Sequence, residues 1–588
     1  MTLTNSESSF RNKLGVFSLF TGATIFTFVF TNFAVNTLGL FFKIPVDLAQ
    51  FYISLLLTVG LHFYVFYKFI PQKALSVVLG ILSLVLISAV AFGSLLVSDR
   101  IYDTSFDGQS YQMEAIIQLN EGYIPPHERP SGVPNVNQIW VNAYPKSAWI
   151  NSTTVFKLTG NIESGKLFNL LLQFASLMLV FGALLSINKL NIFWGGLVSI
   201  LAVANPVSLY QYYNYYLDGQ TYSLILGMLA LTLYIFNKLS DTSLKQKAIL
   251  FVLFTFAGIY LFNIKLASFV FGVIMLLSIC LFTAFYKTKL LLPFLGSLMT
   301  IFLLGFLIFG YNPYITNNRY NKSPLFPIFG EPSYNFDKDN VPGNYLGKNN
   351  VEMLIRAGFV KTAPMGRRNE AELKVPFTTD DKELKNLTVS NVKKGGFGIY
   401  WSGVLVVTLA SLVLLVSYYL IKNRKLKDED ASNFLKIKPE AFTFLIYCYA
   451  ICTILASAVI VSASVYARYV PQLWLVPTLV VLYFLTLKNH ITKILAVIIT
   501  GIMLYNAYMF FEVGTRTAVE ASDNVEATLE EFSEKYTEQD PLVIHFRNAT
   551  STRQRLRQFN IPYEENKNLE CSKKINAIPN NDSVICEE

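Results

Sequence analysis

The sequence predicts an all-α integral membrane protein, a polytopic helical bundle of about thirteen spans with two large loops and a small α/β C-terminal tail. Three observations predict it. Of 588 residues, 53% are hydrophobic and only 15% are charged, whereas an ordinary soluble domain carries about 25% charged residues. The apolar residues gather in runs of roughly 18–24, the length needed to cross a hydrocarbon core of about 30 Å. Lys and Arg fall in alternate short connections between those runs, which is the charge pattern of a membrane topology. The mean hydropathy of +0.42 agrees. The 48 Phe and 33 Tyr suit aromatic belts at the two membrane surfaces. The net charge of +9 is spread over short turns, so it is not the basic patch of a nucleic-acid binder.

The runs lie at about 14–35, 51–70, 74–97, 167–187, 192–209, 222–236, 248–262, 266–285, 290–309, 399–421, 442–463, 473–487 and 494–511. The pair at 248–262 and 266–285 is the hardest to divide, because only Asn263, Ile264 and Lys265 separate its members. The first run is long enough to span, and no small-residue cleavage site follows it, so a cleavable signal peptide is not expected. With Arg11 and Lys13 in the cytoplasm, the cytoplasmic connections hold Lys68 and Lys73, Lys189, Lys238 with Lys245 and Lys247, Lys287 and Lys289, Lys422 with Arg424, Lys425 and Lys427, and Lys488 with Lys493. The connection near Asp218, on the other side, has no cation. The transmembrane domain is expected over 1–511, with extracytoplasmic loops at about 98–166 and 310–398 and an extracytoplasmic tail over 512–588. In the tail, Val519 to Tyr536 reads as an acidic helix, Leu542 to Phe546 as a strand and Ser551 to Phe559 as a basic helix.

The first large loop carries Asp99, Arg100, Asp103, Asp107, Tyr111 and Glu114. A helix over 107–118 would put Asp107, Tyr111 and Glu114 on one face, with Met113, Ala115, Ile116, Ile117 and Leu119 supplying an apolar remainder. Such a helix would lie in the membrane interface. A carboxylate there serves as a general base on a hydroxyl or as a ligand for a divalent cation; the plainer alternative is a solvated loop. Phe106 to Tyr111 is echoed by Leu217 to Tyr222, so Asp-Gly-Gln occurs twice, with Asp218 and Gln220 in the second copy. Lys265, between two apolar runs, is either functional or a snorkelling anchor. Arg468 suits a phosphate grip or an interfacial anchor. The second large loop opens Tyr311-Asn312-Pro313-Tyr314, and its length marks it as more than a connector.

Histidines are isolated, with His62 alone inside a span, which disfavours a His-dependent acyltransferase. Cys280, Cys448 and Cys452 fall in apolar runs as small hydrophobes. Cys571 and Cys586 lie in the tail, where a disulfide forms if the tail is oxidised. Sequons occur at Asn151, Asn386, Asn548 and Asn581.

The stretch Asp107-Gly108-Gln109-Ser110-Tyr111-Gln112-Met113-Glu114-Ala115, together with Asn312-Pro313-Tyr314, Pro324 to Pro327 and Ala467-Arg468-Tyr469-Val470-Pro471-Gln472, resembles the GT-C superfamily of membrane glycosyltransferases. The resemblance covers the spans and both large loops, and its bacterial members use polyprenyl-phosphate-linked sugars at the extracytoplasmic face. Two departures stand out. The first large loop follows the third span rather than the first, and Gln112 stands where many relatives have a histidine. The resemblance implies Asp107, or Asp103, as the catalytic base. It further implies substrate binding by Gln109, Tyr111, Glu114, Asp218, Gln220, Lys265, Asn312, Arg468 and Tyr469. The implied partners are a polyprenyl-phosphate sugar donor, a glycan or lipid acceptor and the bilayer of the bacterial inner membrane, with no nucleic acid. Relatives differ in their use of a divalent cation such as Mg or Mn, so metal dependence stays open. Three rival functions are a non-catalytic scaffold, a lipid-linked glycan polymerase or ligase, which would lean on loop arginines and a histidine, and a transporter or flippase. The last would carry several ionisable groups deep within its spans and show repeats of hydropathy.

Overall fold

The computed structural model describes residues 5–129, 137–187, 190–331, 341–365, 370–387, 393–424, 439–461 and 463–587. Lys189, Lys425 and Lys427 lie outside them. Every one of the thirteen apolar runs is helical. Among the described residues, nine helices are long and apolar enough to cross a membrane. The run at 192–209 is a pair, Ile192–Val203 and Pro206–Tyr213, bent by 60°. Pro206 has no N–H to continue the ladder, and it steers Asn205 away from the helical region. The Asn205 side chain instead accepts from Val207 N at 3.0 Å. The runs near 399, 442 and 473 are shorter apolar helices, Trp401–Ser417, Thr443–Val459 and Pro471–Thr486. The expected thirteen is therefore nine or ten by length and composition, and is reached only if the shorter three also cross. The doubtful division at Asn263–Lys265 is real: it separates helices Leu244–Phe262 and Leu266–Tyr286.

The chain forms two compact units. The first comprises Met1–Ser186, Tyr210–Asn335 and Gly514–Glu588; the second comprises Ile187–Leu209 and Phe336–Val513. The expected boundary near 511 thus lies beside a unit boundary, but the tail packs within the first unit and the second large loop is divided between the two.

The first unit begins with α1 (Asn5–Phe41), α2 (Leu48–Phe69), α3 (Lys73–Arg100), α4 (Met113–Asn120), α5 (Gln138–Ala143), α6 (Ser147–Thr159) and α7 (Leu167–Leu185). α1 is the central helix and packs on α7, α2, α6 and helix Leu244–Phe262. Its approach to α7 depends on small residues: a methyl group at Gly22 would meet Ala175 O, and one at Gly182 would crowd Leu19 N and Gly15 O. Close backbone approach through such residues is how helices associate where no hydrophobic effect operates between them. α2 and α3 present Leu56, Val85 and Phe92 outward, each more than half exposed, as lipid-facing helices do. Their polar residues turn inward. His62 shares a 2.8 Å hydrogen bond with Thr24 and a 3.0 Å one with Gly80 O, so it is a satisfied core side chain. Asn151, the first sequon, has no exposed surface and links Asn32 to Tyr260, so it is no glycan acceptor in this fold.

The tail has the expected mix of elements. The helix His490–Lys535 runs through the acidic stretch into it. Val525, Leu529 and Phe532 lie at i, i+4 and i+7 and bury one stripe against Leu542, Ile544, Leu556 and Ile578. Strand Leu542–Ile544 pairs parallel with Tyr563–Glu565, and Lys574–Asn576 pairs antiparallel with Val584–Cys586. Cys571 and Cys586 form a disulfide.

In the second unit, strand Lys393–Lys394 pairs with Ala363–Pro364, and Lys394 also bridges to Tyr466. Lys374 and Glu383 form a buried ion pair at 2.6 Å, and Trp401 stacks on Trp474.

Candidate active site

The first large loop is built around two acids with opposite fates. Asp103 has no exposed surface. Its Oδ1 accepts from Ser105 N at 2.7 Å and its Oδ2 from Tyr215 N at 2.7 Å. Its own N–H donates to Glu163. Burial pushes its carboxyl up to about 6. Asp103 thus ties the loop to the segment before Asp218. Asp107, by contrast, is partly exposed and accepts a 3.1 Å hydrogen bond from the Tyr111 hydroxyl.

Asp107 leads into a wide π-helical turn, Gly108–Gln112, which runs on into α4. Such turns occur as single-turn bulges, frequently at functional sites. The turn alters the expected face. Asp107 and Tyr111 stay together, but the extra residue rotates Glu114 off their stripe. Residues 108–119 are all buried, so the apolar remainder of this helix packs against protein. α6 covers one side. The tail covers Glu114, whose carboxylate holds Arg553 at 2.5 and 2.9 Å and Thr550 at 2.7 Å. Gly108 admits no side chain, because a methyl group there would overlap Asp103 Oδ2 and crowd the Ser105 hydroxyl. Asp103 is pinned by two N–H groups and cannot yield freely. Gly108→Ala is therefore expected to cost about 1–3 kcal/mol of stability, as overpacking does, read as a lowered thermal midpoint of the detergent-solubilised protein.

A connected set of side chains extends from Asp107. Tyr111 packs edge-on against Tyr144 at 6.0 Å between ring centroids, and Trp140 lies against both. Two residues beyond Tyr144 is Lys146, 3% exposed. Its ammonium donates to Tyr144 O and lies 5.2 Å from the centre of the Trp149 ring. Among the described residues it pairs with no carboxylate. Burial holds it well below the ordinary lysine range. Lys146 also borders an apolar notch with Thr37, Phe41, Pro125, Phe309 and Asn312. Next, Ser147 N donates to Asn263 O at 3.0 Å, which brings in Lys265. Lys265 donates to Asp218 at 2.7 Å, and Asp218 also accepts from Gln211 at 3.0 Å.

The remaining expected site residues sit as follows. Gln109 is buried against the tail, where its amide donates to Asn580 O at 3.0 Å and accepts from Asn581. Gln220 donates to Asn169 within the bundle at 2.7 Å. Asn312 donates to Pro125 O at 3.0 Å and so ties the start of the second loop to the first. Gln112 accepts from the Trp149 indole. Arg468 and Tyr469 belong to the second unit, where the Arg468 guanidinium donates to the Tyr469 hydroxyl at 2.8 Å. Among the described residues, no three His, Cys, Asp or Glu side chains are grouped to hold a metal.

Sequence reasoning missed Lys146, Glu163, Lys166 and the tail residues Arg553, Arg555 and Asn581. The alternating arginines of 553–557 were a visible signal, but nothing local in the chain names acids more than 390 positions away as their partners.

No family model matches the chain, and no curated protein matches it. Among solved structures, the chain is similar to ArnT from Cupriavidus metallidurans, crystallised in the apo state. The two are 14% identical over 83% of this chain and 86% of that one, with a TM-score of 0.38.

Proposed function

We propose that this protein is a membrane glycosyltransferase that moves a sugar from a polyprenyl-phosphate donor to an acceptor hydroxyl at the extracytoplasmic face of the bacterial inner membrane. The observation that carries the reading is the joining of one partly exposed carboxylate, Asp107, through an aromatic rim to a buried lysine, Lys146, that pairs with no carboxylate among the described residues. The motif resemblance of the loop supports it, and the cation distribution among short loops supports the side of the membrane.

The chemistry balances in one displacement. The acceptor oxygen attacks the anomeric carbon while its proton passes to Asp107. The bond from that carbon to the phosphate oxygen breaks, and the lipid phosphate leaves with the electron pair. A cation is needed where that charge develops. Lys265 already neutralises Asp218. Among the described residues Lys146 has no such counter-ion, and although burial disfavours its charged form, an adjacent lipid phosphate would favour it.

The purified protein is to be assayed with a panel of polyprenyl-phosphate sugars. Transfer by the wild type is expected, with Lys146→Met raising donor KM roughly 10- to 100-fold, the worth of a lost charged hydrogen bond. No transfer with any donor, alongside protein-dependent solute flux, would replace this reading with a transporter.

A further inference from the structure

We infer that the C-terminal tail is a positioning element of the loop site, holding the Gly108–Gln112 turn, and through it Asp107, in its working place. The tail meets this turn at three points. Ser551 donates to Gln109 O at 2.7 Å, Asn580 O accepts from the Gln109 amide at 3.0 Å, and Asn581 donates to the same amide's oxygen. Gln109 lies two residues from Asp107 and is 4% exposed. Asn581 is itself fixed: it donates to Thr552 at 2.9 Å and accepts from Ser583 N at 2.7 Å.

The grip is reinforced on either side by charge. The short helix Thr552–Gln558 sends Arg553 to Glu114, Arg555 to Glu163 and Arg557 to Glu121. The first two pairs are buried and the third is exposed. Arg555 also donates to Asp103 O at 2.7 Å, so the tail touches both acids' surroundings at once. At the other end of the loop, Arg100 pairs with Asp523 and Glu526 on the long helix leading to the tail.

A π-helical turn is uncommon, and an uncommon backbone geometry persists where its surroundings fix it. Here the fixing groups come from the tail. Asn581 cannot carry a glycan in this arrangement despite its sequon, because it is buried and its amide is engaged. The catalytic consequence rests on the function proposed above; the positioning does not.

The full-length protein decides it by hydrogen exchange and kinetics together. Asn581→Asp keeps the shape and the acceptor for Ser583 but presents a second acceptor to the Gln109 oxygen. Amides of 105–113 are expected to exchange roughly 10-fold faster or more, since the turn opens locally. In the same variant kcat should fall roughly 10- to 100-fold, as misplacement of a catalytic group does, with donor KM almost unchanged. Ser551→Ala, which removes one hydrogen bond to the turn, should show the same pattern more weakly should Asn581→Asp fail to fold. Arg557→Gln, at the exposed pair, should change neither reading. Unaltered exchange over 105–113 in both tail variants overturns the inference. A wild type that transfers no sugar overturns the proposed function and leaves the exchange result to decide the positioning.

Discussion

Asp107→Asn is expected to lower sugar transfer roughly 10²–10⁴-fold, the usual worth of a general base, with thermal stability and donor binding unaltered. Asparagine keeps the size of the side chain and an oxygen to accept from the Tyr111 hydroxyl. What it loses is the charge that takes the acceptor's proton. The parallel substitution at Asp103 should read out differently. Both Asp103 oxygens accept backbone N–H groups, so an amide in either position would aim N–H at N–H. Asp103→Asn should therefore depress the thermal midpoint, and its loss of transfer should follow its loss of folded protein. Transfer that survives Asp107→Asn unchanged would remove Asp107 as the base. A loss confined to kcat would support it, because removing an interaction made only in the transition state lowers kcat without raising KM.

The difference between these two acids shows what was legible in the chain. Hydropathy gave every apolar helix, and the Asn263–Lys265 break, because the length of a span and the polarity of a gap are local properties. Asp103 and Asp107 were equally visible as candidates. What separated them was the depth of Asp103 beneath Tyr215, a residue 112 positions away. Periodicity also placed Glu114 beside Tyr111, since it assumes 3.6 residues per turn throughout. One π-turn was enough to move Glu114 to the tail side. The apolar residues of α4 are a related case: their partners are α6 and the interior of the first unit, which no local pattern names. Lys146 was invisible because a lysine among Tyr144, Pro145 and Ser147 looks like any loop cation until its burial is known.

Glu163→Gln should be the most destabilising single change in the loop, at about 3–5 kcal/mol, the range for breaking a buried ion pair from one side. Glu163 is 1% exposed and stands between two cations, Lys166 at 2.5 Å and Arg555 at 2.6 Å, each with almost no exposed surface. Neutralising it leaves both cations buried without the charge they share. Arg557→Gln removes a pair that is about half exposed on both sides, so it should change stability by less than about 1 kcal/mol. The thermal midpoint in detergent and the rate of proteolytic release of the tail would measure both. Acid should imitate part of this effect at Glu114. Burial alone would raise that carboxyl, but Arg553, Thr550 and Gln118 outweigh burial and hold it below its usual 4.5. A depressed carboxyl stabilises the fold above its unfolded value and loses that contribution as pH falls through the folded one. Tail docking should accordingly be intact at neutral pH and weaken progressively below about pH 4.5. Arg553→Gln should flatten that acid limb, because the partner that depresses Glu114 is gone. A tail equally resistant to protease in wild type and Glu163→Gln would show that the ion pairs do not hold it and that other contacts, such as the packing of Tyr102 on the tail's apolar core, do.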